Sequence, residues 1–119
     1  QRGDTVIADR FALSTLAYQS FGRGLDLGQV RLAMEVATGG LQPDLYVVLD
    51  LPVEESVERG RRGGHDLDRI EQEGEDFRQT IREAYLALAE SEPAVAIVSA
   101  QGSLEEVQRR IQDLLSARF

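Results

Sequence analysis

Residues 45–49 read Leu-Tyr-Val-Val-Leu, a near-continuous apolar run closed by Asp50. A strand with one face in water alternates apolar and polar residues. This run does not alternate, so it predicts a strand covered on both faces, as in a parallel sheet. Two more runs have the same character. Residues 5–8, Thr-Val-Ile-Ala, are short, apolar and rich in β-branched residues, and residues 94–98, Ala-Val-Ala-Ile-Val, are a third strand of the parallel type.

The segments between these runs carry helical spacing. After the first run, residues 11–19 put Phe11, Thr15 and Tyr18 on one face and Leu13, Leu16 and Ala17 on another. Gly22 and Gly24 interrupt that pattern. A second helix is expected over Leu27–Thr38, with Val30, Ala33, Met34 and Ala37 as its apolar stripe and Gly39-Gly40 as its C-cap. A short helix should cover about residues 52–60, with Pro52 near its first turn, where a missing N–H costs nothing.

Residues 59–66, RGRRGGHD, hold three arginines and no apolar side chain, so they read as a mobile basic loop outside any core. A long helix is expected from Asp68, with Asp68 as N-cap, Glu71 at the capping-box position, and Phe77, Ile81, Ala84, Tyr85 and Leu88 facing inward. Gly74 inside it costs roughly 1 kcal/mol relative to Ala. Ser103 and Glu106 form a second capping box, opening a last helix that buries Leu104, Val107, Ile111, Leu114 and Leu115. The order is β-α-α-β-α-loop-α-β-α, an α/β pattern with no internal repeat and no interdomain linker.

Composition narrows the function classes. Acidic residues outnumber basic ones, 21 to 13, for a formal net charge of −8. That argues against a nucleic-acid polymer or an anionic membrane as the main partner. There is no cysteine, so no disulfide framework or thiolate metal site, in keeping with a cytoplasmic protein. No apolar run approaches the ~20 residues of a membrane helix.

Two places hold groups suited to phosphate chemistry. Asp9 and Arg10 follow the first strand directly, and in open parallel sheets the carboxyl ends of the strands face the ligand crevice. A carboxylate there can hold magnesium, usually through water, and a guanidinium there can bind phosphate with its planar fork of donors. The same two residues also suit a helix cap and a surface ion pair. The second place is the basic loop with Arg59, Arg61 and Arg62. His65, beside two glycines, reads as solvent-exposed.

Asp9-Arg10-Phe11, Ser14-Thr15, Ala17-Tyr18-Gln19, Arg23-Gly24-Leu25, Gly39-Gly40-Leu41, Pro43-Asp44 and Asp68-Arg69-Ile70-Glu71 form an ordered set. In that order they resemble the thymidylate kinase (dTMP kinase) family, and within it the bacterial branch with arginines in the lid. The likeness runs from about Val6 to the last helix.

The resemblance implies a three-layer parallel sheet of the P-loop nucleoside monophosphate kinase type. It implies phosphoryl transfer from ATP to dTMP, giving dTDP, with Mg2+ as cofactor and a homodimer as the assembly. Asp9 matches the acid that holds magnesium, and Arg10 the arginine on the acceptor's phosphate. Ser14, Thr15, Tyr18 and Gln19 match positions around thymidine. Arg61 and Arg62 match lid arginines that stabilise charge on the transferred phosphoryl group. Arg59 matches a residue that stacks on adenine, Arg69 one that reaches the donor phosphates, and Glu71 one that faces the acceptor sugar, although capping explains Glu71 equally well. Gln101, in the segment after the last strand, falls at the adenine pocket, which its backbone would line. Arg23 suits a phosphate contact or a helix cap.

The sequence also departs from the family. It has no G-x-x-x-x-G-K-[ST] loop, and all 13 of its basic residues are arginine. Three strands are visible where the family's sheet has five, and the family's first strand would lie between the strands at Thr5 and Leu45. Residues 1–119 are therefore expected to be the C-terminal part of one kinase domain, with the first two strands absent and a lid at about 59–68. That part alone is expected to be inactive. The alternative is a non-catalytic nucleotide-binding or interaction module derived from a kinase. A kinase for another nucleoside or nucleotide is disfavoured by the S-T-x-A-Y-Q run.

Overall fold

A computed structural model describes residues 3–63 and 74–119. They fall into two compact units, Gln1–Gln42 and Pro43–Phe119.

In the first unit, residues 3–8 are not a strand. They have no ladder partner among the described residues, and Val6 and Ile7 are 85% and 92% exposed. The reason is physical: a strand exists through its neighbours, and backbone groups without a partner strand stay with water. The helix after it forms in two pieces. α1, Ala12–Thr15, runs into a π-helical turn, Leu16–Gly22. Leu13, Leu16 and Ala17 are buried and Phe11, Thr15 and Tyr18 half-buried, so the two predicted faces survive the wider turn.

The turn closes when Gly24 N and Leu25 N donate to the Ser20 and Gln19 carbonyls, and Ser20 Oγ donates to the Leu25 carbonyl at 2.9 Å. α2, Leu27–Thr38, starts on Asp26, whose carboxylate accepts from Gln29 N at 2.9 Å. It stops at Gly39 (φ 62°), where Gly40 N reaches back to the Glu35 carbonyl at 2.9 Å. That left-handed cap is one that side chains resist and glycine does not. The stripe of α2 differs from expectation. Val30 is buried and Leu27 and Met34 half-buried, but Ala33 and Ala37 are exposed. The larger side chains fill the inward arc and leave the alanines on its flank. Leu32 and Val36, also exposed, widen that apolar flank.

The second unit is built on two parallel strands. β1, Tyr46–Asp50, pairs with β2, Val95–Ser99, from Tyr46↔Val95 to Asp50↔Ser99. Tyr46 N to the Ala94 carbonyl and Ala100 N to the Asp50 carbonyl extend the ladder at both ends. Parallel neighbours need a long crossover, supplied here by α3, Val53–Gly63, and α4, Glu75–Ser91; α5, Leu104–Arg118, follows β2. Val53, Ile81, Ala84, Leu88, Val95 and Val98 are buried, and Leu88, at 2% exposure, contributes about 1.5–3 kcal/mol by its transfer from water.

Three expectations for this unit need correction. The strands are not covered on both faces: Leu49 is 53% exposed, and among the described residues β1 has a partner on one edge only. Residues 59–63 are not loop but the last turns of α3. Glu55–Arg59 and Glu58–Arg62 pair at i,i+4, and the arginines suit the negative end of the helix dipole. Leu104 and Leu115 are exposed on α5, and only Val107, Ile111 and Leu114 turn partly inward. α4 has Gly74 as its N-cap. The cap predicted at Asp68 and Glu71, with Arg69 and His65, lies outside the described residues. Among the described residues no helix is long and apolar enough to cross a membrane.

Candidate functional site

The candidate residues divide between the two units. In the first, Asp9 and Arg10 form an exposed bend just before α1. The N-cap of α1 is Phe11, which makes no side-chain capping bond, so Asp9 is not the helix cap. Arg10 has φ 65°, the only positive φ outside glycine among the described residues. A non-glycine residue pays for that conformation, and such strain concentrates at functional positions. The guanidinium of Arg10 lies over the ring of Tyr18, 5.8 Å from its centroid, within cation–π range. The bend thus aims a cation back over the π turn, next to the thymidine candidates. Thr15 is the last residue of α1; Tyr18 and Gln19 belong to the π turn, Tyr18 half-buried and Gln19 exposed. Ser14, on α1, is half-buried. π turns of this kind recur at functional sites.

Asp9 is a single exposed carboxylate, and among the described residues no group of three or more His, Cys, Asp or Glu side chains could hold a metal ion. One carboxylate suits magnesium, which keeps most of its waters and takes its other ligands from phosphates.

In the second unit the carboxyl end of the sheet carries a network. Arg59 donates to the Ala100 carbonyl at 2.9 Å, the Gly102 carbonyl at 3.5 Å and Glu55 at 3.1 Å. Gln101 Nε2 donates to the other oxygen of Glu55 at 3.0 Å. Glu55 therefore joins two residues that sequence had assigned together, Arg59 and Gln101. Arg62 is held by Glu58 at 3.1 Å, and Arg61 is exposed.

Asp50, at the end of β1, receives a forked pair of bonds from Arg82 on α4, at 2.8 and 3.0 Å. Those bonds hold the Asp50 carboxyl below its usual range, against the opposing effect of burial, and push the Arg82 guanidinium up.

The sequence model of thymidylate kinase matches residues 1–111. The chain belongs to the thymidylate kinase family. Curated thymidylate kinases similar to it include that of Synechococcus sp. (strain JA-2-3B'a(2-13)), 44% identical over 98% of this chain and 55% of the relative. That of Desulforudis audaxviator (strain MP104C) is 51% identical over 77% of this chain and 41% of the relative. That of Parasynechococcus marenigrum (strain WH8102) is 45% identical over the full chain and 56% of the relative. The chain thus spans about half the length of the thymidylate kinases it matches.

Sequence reasoning passed over Glu55, Arg82 and Arg110. Glu55 was recognisable from its i,i+4 spacing to Arg59. Arg82 and Arg110 carry no such mark, because their partners lie 32 and 9–11 positions away and become neighbours only when the sheet forms.

Proposed function

We propose that the full-length protein transfers a phosphoryl group from ATP to dTMP, giving dTDP. The observation that carries this reading is the pairing of Arg10 with Tyr18, in a chain whose family match covers both. Arg10 binds the acceptor's phosphate through its fork of donors. Tyr18 packs on the sugar, where it excludes a 2′-hydroxyl. Thr15 and Gln19 serve the pyrimidine edge, with Ser14 beside them. Asp9 is the residue that would hold magnesium, through water; when bound, magnesium neutralises charge on the phosphate oxygens. Arg59 and Gln101 serve the ATP base, and Arg61 and Arg62 the charge that develops during transfer. Catalysis is positioning and charge neutralisation, with no covalent intermediate.

The same reading covers Arg69 at the donor phosphates and Glu71 at the acceptor sugar. It holds residues 1–119 to be part of one kinase domain, with a further strand beside β1. The edge of β1 that has no partner among the described residues, and the exposure of Leu49, support that. It includes a homodimer formed through the exposed flank of α2, and activity in the cytoplasm. Because no phosphate-binding loop occurs in residues 1–119, these residues alone are expected to form no dTDP.

Calorimetric titration with dTMP tests the acceptor site. Arg10→Ala should weaken binding about tenfold to a hundredfold, the worth of one or two charge-assisted hydrogen bonds. Equal affinity in the variant and the wild type would remove Arg10 from the site.

A further inference from the structure

Four successive carbonyls lie at and just beyond the carboxyl end of β2, those of Ser99, Ala100, Gln101 and Gly102, and two guanidiniums divide them by turns. Arg110, on α5, donates to Ser99 O at 2.9 Å and Gln101 O at 2.6 Å. Arg59, on α3, donates to Ala100 O at 2.9 Å and Gly102 O at 3.5 Å. The segment bends tightly here: Gln101 N donates to Ser99 Oγ at 3.3 Å, and Gly102 takes φ 91°. The ladder ends with the bond from Ala100 N to the Asp50 carbonyl, so beyond Ala100 the bonds from side chains set the shape of the segment. In a parallel sheet this end of the strands is where ligands bind.

The two arginines differ in one respect. On the ATP reading above, on which this inference rests, Arg59 leaves its carbonyls to stack on the base, and the loop must keep its shape without it. We propose that Arg110 is the positioning residue that keeps it. From a helix outside the phosphate machinery, Arg110 pins alternate carbonyls of 99–102 and fixes the loop that the ATP base meets. It touches neither the reacting atoms nor dTMP.

Steady-state kinetics of the full-length protein, with ATP and dTMP varied separately, tests this. Arg110→Ala should raise KM for ATP three- to tenfold, with kcat and KM for dTMP within twofold of wild type, and Arg110→Lys should recover at least half of the loss. Arg110→Gln, which keeps a donor and much of the bulk, serves if the alanine variant does not fold. An unchanged KM for ATP in the folded variant overturns the proposal, and so does an equal rise in both KM values, which would mean general loosening. A wild-type protein that binds no ATP is a different result: it removes the kinase reading itself, and the role of Arg110 with it.

Discussion

Asp50 and Arg82 form a forked, partly buried pair that ties α4 to the end of β1, with side chains 20% and 30% exposed. Removing one partner leaves the other short of its hydrogen bonds, so Asp50→Asn should cost about 1–2 kcal/mol in urea unfolding at pH 7. The sign with pH follows from the lowered carboxyl. In the unfolded chain Asp50 binds its proton at an ordinary carboxylate pKa, and in the folded chain only at lower pH. The contribution is therefore fully present above about pH 4 and is lost as pH falls through the folded value. The gap between wild type and Asp50→Asn should hold from pH 7 to about pH 4 and shrink below it, towards pH 2. A gap that stays constant would mean that the pair is not the source of the stability.

Elements show how far local sequence reaches. Both ends of α2 were legible from its apolar spacing and the Gly39-Gly40 cap, local signals that act within a turn or two; the equally local Asp26 cap at its start was not read. The capping box of α5 was legible for the same reason. Ser103 Oγ accepts from Glu106 N at 3.2 Å, and Ser103 N donates to Glu106 Oε2 at 2.7 Å, which holds that exposed carboxyl below its usual range. What was not legible depends on neighbours. Residues 5–8 have the composition of a strand but no partner strand among the described residues, and residues 59–63 look like loop until the pairs from Glu55 and Glu58 are counted. The candidate site divides the same way. Arg10, Tyr18, Arg59 and Gln101 could be named from the sequence, but the hub role of Glu55 and the reach of Arg110 are properties of the folded sheet.

The start of α5 supplies its own test. Ser103→Ala should cost about 1 kcal/mol. Gly102→Ala should cost about 1–2 kcal/mol, since Gly102 has φ 91° and a Cβ there would run into the Glu106 carboxylate. Both substitutions act through one capping box, so the double variant should lose less than the sum. Full additivity in thermal or urea unfolding would show the two positions to be independent.

Assembly brings in the apolar flank of α2. Leu32 and Val36 are 63% and 78% exposed, with Ala33 and Ala37 beside them. Side chains of this size on one helix face match an interface more than a solvated surface. On the dimer proposed above, the wild type should sediment as a dimer at micromolar concentration, and the full-length protein with both Leu32 and Val36 replaced by Glu as a monomer. A wild-type monomer, or a variant that remains dimeric, would exclude this face.

On the function proposed above, the bend at Asp9-Arg10 serves transfer to a thymidine monophosphate. The most direct measurement is dTDP formation from ATP and dTMP by purified full-length protein, with and without magnesium, for wild type and Arg10→Ala. The expected result is magnesium-dependent dTDP formation by the wild type and a loss of about tenfold or more in kcat/KM for dTMP in the variant. No dTDP from the folded wild type, or equal rates from both proteins, would contradict it.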